Sequence, residues 1–391
     1  MKILLEACRL VRVHDSGGID ALWQNLVLEL LRQNQEALSD SGDGLEYVLF
    51  SAFLNPKHAH HLEKYRRLGA TLRHWWMAPQ WAEGMGRLGA RSEWFAGNHD
   101  LLHISEPVWK LPTSGKIVVT FHDVMYRLYP QYLRPEWVDR LEKGTQDLVE
   151  RATLWLCNSE HTRDQLCKHY GVPRGRTATM LVGVTEGFRL ALGQEDRIAE
   201  IAGKLSLRNK RYFLFVGSVE PKKNLGVLLD AFSKALDSGT QADLVVAGRA
   251  GFGSEMVQAK VDGDPRLAER VQFTGFIDQK DLPFLVAGAR CLVLPSRYEG
   301  FGIPVVEAMA AGTPVLCSDR GALPEVAGGA ASLFDPDDVD GLAERLLSID
   351  GDDALWEDLR RRGLERSEPF TWQRCAKDTL DAYRQAQQLS R

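Results

Sequence analysis

The feature that most constrains this chain is an alternation: short β-branched or aliphatic runs, each followed by an amphipathic stretch, arranged in two series. A strand covered on both faces reads as a continuous apolar run. A helix between two such runs returns the chain to begin the next strand parallel to the last. The first series has runs at 2–5, 45–50, 101–104, 116–121 and 154–157, with helical patterns at 21–32 and 134–151. The second has runs at 212–216, 243–247, 271–273, 291–294 and 314–317, interleaved with helical patterns at 225–236, 282–287 and 304–311. Each series predicts one doubly wound α/β domain, 1–185 and 211–370, with 186–210 as linker. A last pattern, 371–391, sets Trp372, Cys375, Ala376, Leu380 and Tyr383 at three-to-four spacing, an apolar face that has to be buried on something already built.

Length and composition agree. At 391 residues the chain has room for two or three domains, and 44% hydrophobic with 26% charged residues excludes disorder and a membrane bundle. Its formal charge of −5 argues against a general grip on nucleic acid. The six cysteines are scattered and none has zinc-site spacing, which predicts free thiols in a reducing compartment. Glu6 interrupts the first apolar run, so that run predicts a buried strand rather than a leader. The longest weakly charged stretch, 302–317, is too short and too broken for a membrane span. The expected location is cytoplasmic.

Four places carry chemistry. After the run 291–294 a loop, Ser296-Arg297-Tyr298-Glu299-Gly300-Phe301-Gly302-Ile303, leads to Pro304 at a helix start. The N–H groups of Phe301, Gly302 and Ile303, with the helix dipole, can hold a phosphate. Glu299 in the loop and Glu307 in the first turn or so fit an anion site only if they accept ligand hydroxyls; the bland alternative is a solvated loop acid and a dipole-complementing first-turn acid. A second turn, Gly217-Ser218-Val219-Glu220-Pro221-Lys222-Lys223-Asn224, offers a lysine to a phosphate and lacks the P-loop pattern. The run 116–121 ends in His122 and Asp123, a proton-exchanging pair or a structural strand end. Gly17 and Gly18, between the first run and the first helix, can wrap a phosphate closely or simply turn.

Together these stretches resemble the retaining glycosyltransferases of family 4, which have the GT-B fold of two facing Rossmann-like domains. The resemblance rests on Glu299 and Glu307 as the E-x7-E signature, on Gly217 to Asn224, on Phe273-Thr274-Gly275-Phe276, and on Leu323-Pro324-Glu325-Val326. It implies that Phe370-Thr371-Trp372 opens a helix crossing back to the first domain. It implies an NDP-sugar against the second domain, with Glu299 on sugar hydroxyls, Glu307 on the ribose, Lys223 on the diphosphate and His122 on the sugar, while the Gly17–Gly18 loop closes on the donor. It also implies no metal, no further cofactor and retention of configuration, with the leaving phosphate taking the acceptor's proton. Many relatives place an arginine after the glycine that aligns with Gly217; here Ser218 stands there, and Arg249 is the candidate to compensate. The serine form with His122-Asp123-Val124 and Tyr129-Pro130 is most similar to polysaccharide mannosyltransferases, so GDP-mannose is the expected donor and a glycan or polyprenyl-diphosphate-linked chain the expected acceptor.

Residues 57–94 carry seven Lys or Arg against three Glu, and Trp75, Trp76, Trp81 and Trp94. They predict either a core or sugar-lining cluster, the favoured reading, or a cationic face for peripheral contact with an anionic membrane surface. Use of another NDP-sugar, an NDP-sugar epimerase or hydrolase, and a non-catalytic nucleotide-sugar binder are the competing functions.

Overall fold

The structure, a computed structural model, describes residues 1–390 apart from 12–16, 41, 53–59, 76–83, 87, 109–110 and 208–211. It divides into two units, the first made of Met1–Gly183 and Thr371–Arg391, the second of Val184–Phe370.

The first unit is built on seven parallel strands: β1 (Lys2–Glu6), β2 (Glu46–Ala52), β3 (Thr71–Trp75), β4 (Leu101–Ile104), β5 (Lys116–Phe121), β6 (Leu154–Cys157) and β7 (Thr177–Thr179). Their order is β3-β2-β1-β4-β5-β6-β7. The central runs are apolar throughout because both faces are covered, with Ile3, Leu4, Leu5, Val118 and Val119 sealed from solvent. The order reverses between β1 and β4, and at such a switch point the loops leaving the carboxyl ends splay apart and open a crevice. The helix Trp372–Gln388 packs on the helix Gly18–Asp40 and on β5 and β6. Thr371 caps its start by accepting from the Arg374 N–H, and Cys375, Ala376, Ala382, Tyr383 and Ala386 form its buried stripe.

The second unit repeats the design with six parallel strands: β8 (Tyr212–Val216), β9 (Asp243–Ala247), β10 (Val271–Gly275), β11 (Cys291–Leu294), β12 (Val315–Ser318) and β13 (Ser332–Phe334). They are ordered β10-β9-β8-β11-β12-β13, with the switch point between β8 and β11. Residues 186–210 carry the helices Glu186–Ala191 and Glu195–Lys204, which pack on the helix Leu282–Ala287 of this unit. Among the described residues no helix is long and apolar enough to cross a membrane.

Candidate functional site

In the second unit the turns leaving β8 and β11 meet across the switch point. The Arg297 N–H donates to the Lys222 carbonyl at 2.8 Å, tying the two turns together by their backbones. Within that frame Lys223 Nζ donates to Glu299 Oε1 at 2.6 Å, and Ser296 Oγ donates to the same oxygen at 2.6 Å. The two charged side chains are only 13% and 11% exposed. Asn224 closes the lysine turn in a left-handed conformation and anchors it, its side-chain amide donating to the Pro336 carbonyl at 2.7 Å. Gly217 follows β8 and lies beside Lys223, while Ser218 is exposed.

The helix Ile303–Ala310 starts where the sequence places it, with Pro304 in its first turn and no side chain capping its N–H groups. Its cap residue Gly302 has φ +104, which L side chains avoid, and a Cβ there would lie 2.5 Å from Leu323 Cδ2. Gly321 also needs its hydrogen: at φ +62 a Cβ would lie 2.4 Å from the Glu299 carbonyl oxygen, so this close approach helps set the Glu299 backbone. Phe301 is buried and meets Phe370 edge to face at 6.0 Å between ring centroids.

The two carboxylates sit in opposite electrostatic settings. Burial acts to raise Glu299, but Lys223, then Lys222, and the hydrogen bonds from Lys223 and Ser296 hold it below its ordinary value. Among the described residues no cation or hydrogen-bond donor is set against Glu307, and burial pushes it up to about 7. No acidic residue lies in the first turn, and Glu307 stands a turn beyond Ile303, too deep to serve the helix dipole. A partly buried carboxyl with a raised pKa costs stability when ionised unless a hydrogen-bond donor meets it, which makes Glu307 a candidate acceptor for a ligand hydroxyl. Arg249 is exposed at the end of β9, its guanidinium 4.6 Å from the Phe276 ring centroid.

His122 and Asp123 lie at the end of β5 in the first unit. The partner of His122 is a residue the sequence did not single out: Nε2 donates to the Ser105 carbonyl at 2.7 Å. Asp123 accepts the Met125 N–H at 2.9 Å and so shapes the next turn. Burial is the largest influence on His122 and lowers its pKa. Gly17 accepts the first helical hydrogen bond, from the Ala21 N–H, Gly18 opens the helix, and both are exposed. A Cβ at Gly17 would meet nothing within 4 Å. Among the described residues no group of three His, Cys, Asp or Glu side chains is placed to hold a metal.

Of the aromatic residues in 57–94, Trp75 stacks on Phe95 at 3.7 Å and Trp94 is 67% exposed. Trp76 and Trp81 fall outside the described residues.

Comparison with known proteins bears on both units. The family described as "Glycosyltransferase Family 4" matches residues 27–185, and "Glycosyl transferases group 1" matches residues 196–366. O-antigen chain mannosyltransferase B of Escherichia coli is 32% identical over 270 residues, covering 69% of this chain and 70% of that protein. The serotype-specific mannosyltransferase WbdA of Escherichia coli is 26% identical over 309 residues; the match takes in 76% of this chain but only 36% of WbdA. Among solved structures, sucrose-phosphate synthase from Thermosynechococcus elongatus superposes with a TM-score of 0.72 at 21% identity, covering 98% of each chain, so it shares the fold.

Proposed function

The chain belongs to glycosyltransferase family 4, and on that premise we propose that it moves a mannosyl residue from GDP-mannose, with retention, to a glycan or polyprenyl-diphosphate-linked acceptor. That it is a GT-B glycosyltransferase follows from the family and the fold. The donor sugar and the acceptor are the further step, supported by O-antigen and serotype-specific mannosyltransferases among its relatives.

The observation that carries the donor site is the enclosed Lys223–Glu299 pair at the switch point of the second sheet. An ammonium has three donors. With one on Glu299, two are left for diphosphate oxygens, and the uncapped N–H groups of Phe301, Gly302 and Ile303 supply more. These groups stabilise the charge that builds on the departing diphosphate, the work a metal ion does in other enzymes. Glu299 accepts from hydroxyls of the transferred sugar and Glu307 from the ribose, which gives each carboxylate a reason to be there. The bond from the anomeric carbon to the phosphate oxygen breaks as the bond to the acceptor oxygen forms on the same face. The acceptor's proton passes to the leaving phosphate.

The test is the melting temperature of the protein against GDP-, UDP-, ADP- and dTDP-sugars, with and without Mg²⁺, because a ligand of the native state raises it. A shift selective for GDP-mannose and independent of Mg²⁺ is expected. A selective shift with another donor overturns the mannose assignment, and hydrolysis or epimerisation of the donor without any acceptor overturns the transfer.

A further inference from the structure

The first unit gathers charged side chains at the carboxyl ends of β1, β4 and β5 that the donor site does not use. His122 donates from Nε2 to the Ser105 carbonyl at 2.7 Å. A carbonyl oxygen can only accept, so Nε2 carries the proton, and in the neutral ring Nδ1 is the acceptor. Ser105 is fixed in turn: its hydroxyl donates to one Glu6 carboxylate oxygen at 2.6 Å, and the other accepts the Cys8 N–H at 2.7 Å. Beside them Arg9, 8% exposed, spreads its guanidinium between two carboxylates, Nη1 on Asp20 at 2.5 Å and Nη2 on Glu106. Arg9 thereby joins the segment after β1, the start of the helix Gly18–Asp40 and the segment after β4, next to Ser105.

We infer that Arg9 is a positioning residue: clamped by Asp20 and Glu106, it fixes the edge that orients His122 and keeps that ring neutral, with the proton on Nε2 and Nδ1 turned acceptor for a substrate hydroxyl. The substrate part rests on the proposed function; the tautomer and its dependence on Arg9 do not. Burial is the strongest influence against imidazolium, the Ser105 carbonyl favours it, Arg9 disfavours it, and Glu106 and Asp123 favour it. His103 on β4 is a neutral neighbour, and Glu6 lies behind Ser105. Removing Arg9 leaves Glu6, Asp20 and Glu106 without their cation, so the field at His122 turns toward protonation.

The test is a long-range ¹H–¹⁵N correlation spectrum of the full chain labelled with [¹⁵N]histidine, recorded from pH 8 to pH 5, with His122→Asn identifying the signals. Wild type is expected to show protonated Nε2 and unprotonated Nδ1 at pH 7, with a midpoint below that of an ordinary imidazole. In Arg9→Met the titration midpoint moves to higher pH, and Arg9→Lys, which keeps the charge, restores it. Should Arg9→Met fail to fold, Glu106→Gln reads the same field from the other side: losing an anion, His122 must resist protonation more than in wild type. With donor and acceptor, the acid limb of the Arg9→Met kcat–pH profile is expected to move to higher pH by the same shift as the imidazole midpoint and kcat to recover at pH 8, with KM for the donor unchanged. A proton on Nδ1 or an imidazolium at pH 7 in wild type overturns the inference, as does a midpoint that neither Arg9→Met nor Glu106→Gln moves. A protein that transfers no sugar but shows these spectra refutes the proposed function and leaves the positioning role standing.

Discussion

Glu299 and Glu307 stand eight residues apart, and their surroundings drive them in opposite directions. Glu299 is held ionised by Lys223, so the stability it adds is present above the ordinary carboxyl range and is lost as pH falls through its lowered pKa. Lys223→Ala removes the cation and leaves a buried carboxylate with only Ser296 on that oxygen, at a cost of about 3 kcal/mol measured by urea unfolding at pH 7. An unchanged midpoint would show the pair to be solvated. Glu307 works the other way. Its raised pKa means that the folded protein binds the proton more tightly than the unfolded chain, so stability falls as pH rises from the ordinary range through about 7. Glu307→Gln is therefore expected to be more stable than wild type at pH 8, by about 1–3 kcal/mol, with little difference at pH 5. The same substitution weakens the donor. Binding to the carboxylate releases a proton below pH 7, so calorimetry should find the wild-type donor Kd rising about five- to tenfold from pH 7 to pH 6, with no such slope in Glu307→Gln. A pH-independent Kd in wild type would remove Glu307 from the donor site.

At the scale of elements, the donor site depends on where two strands stop and one helix begins. Gly302→Ala tests that junction: it imposes a strained φ and crowds Leu323, and is expected to cost about 1–2 kcal/mol and to weaken donor binding without touching Lys223 or Glu299. A variant that loses stability but binds donor normally would mean that the helix start is not a phosphate site. These junctions were legible because they are written locally: apolar run, glycine, then proline or lysine. The ten strands named from sequence are those with strong apolar runs. The three not named, β3, β7 and β13, lie at sheet edges and read Thr-Leu-Arg-His-Trp, Thr-Ala-Thr and Ser-Leu-Phe, because a half-covered strand needs no continuous apolar run. The stretch 186–210 shows helical charge patterning but no strand, and its two helices pack against the helix Leu282–Ala287, far along the sequence, a partner that only the fold reveals. The Ser105 carbonyl and the Arg9 clamp were illegible for the same reason. The Arg9 clamp joins the segments after β1 and β4, neighbours in the sheet yet separated by almost a hundred residues, and the Ser105 carbonyl meets His122 from the end of β5 as a backbone group with no signature in sequence.

At the scale of the molecule, the chain leaves its first unit at Gly183 and returns to it at Thr371, so the last helix belongs to a core assembled long before it. What holds it there is both apolar and specific. His103, fully buried on β4 and driven down to about 3 by burial and then by His122, is hydrogen-bonded to Tyr383 at 2.7 Å and to Thr120 at 2.8 Å. The imidazole therefore stays neutral at any working pH, and one of its two ring nitrogens is satisfied only by a residue 280 positions away. Tyr383→Phe removes that bond alone and should cost about 1 kcal/mol. Ending the chain at Phe370 does far more: it uncovers β5, β6 and the helix Gly18–Asp40 and leaves His103 with a buried unmet group. The site residues Lys223, Glu299 and Glu307 keep every contact described above, since all of those partners lie within Val184–Phe370. Hydrogen exchange on the shortened chain is thus expected to show protection lost from β1 and β4–β6 but retained in β8–β12, with GDP-mannose still adding protection around 217–224 and 299–307. Turnover is lost while donor binding persists. If donor protection disappears as well, the second unit does not contain the donor site by itself; if β5 and β6 stay protected, the returning helix is a passenger on a unit complete without it.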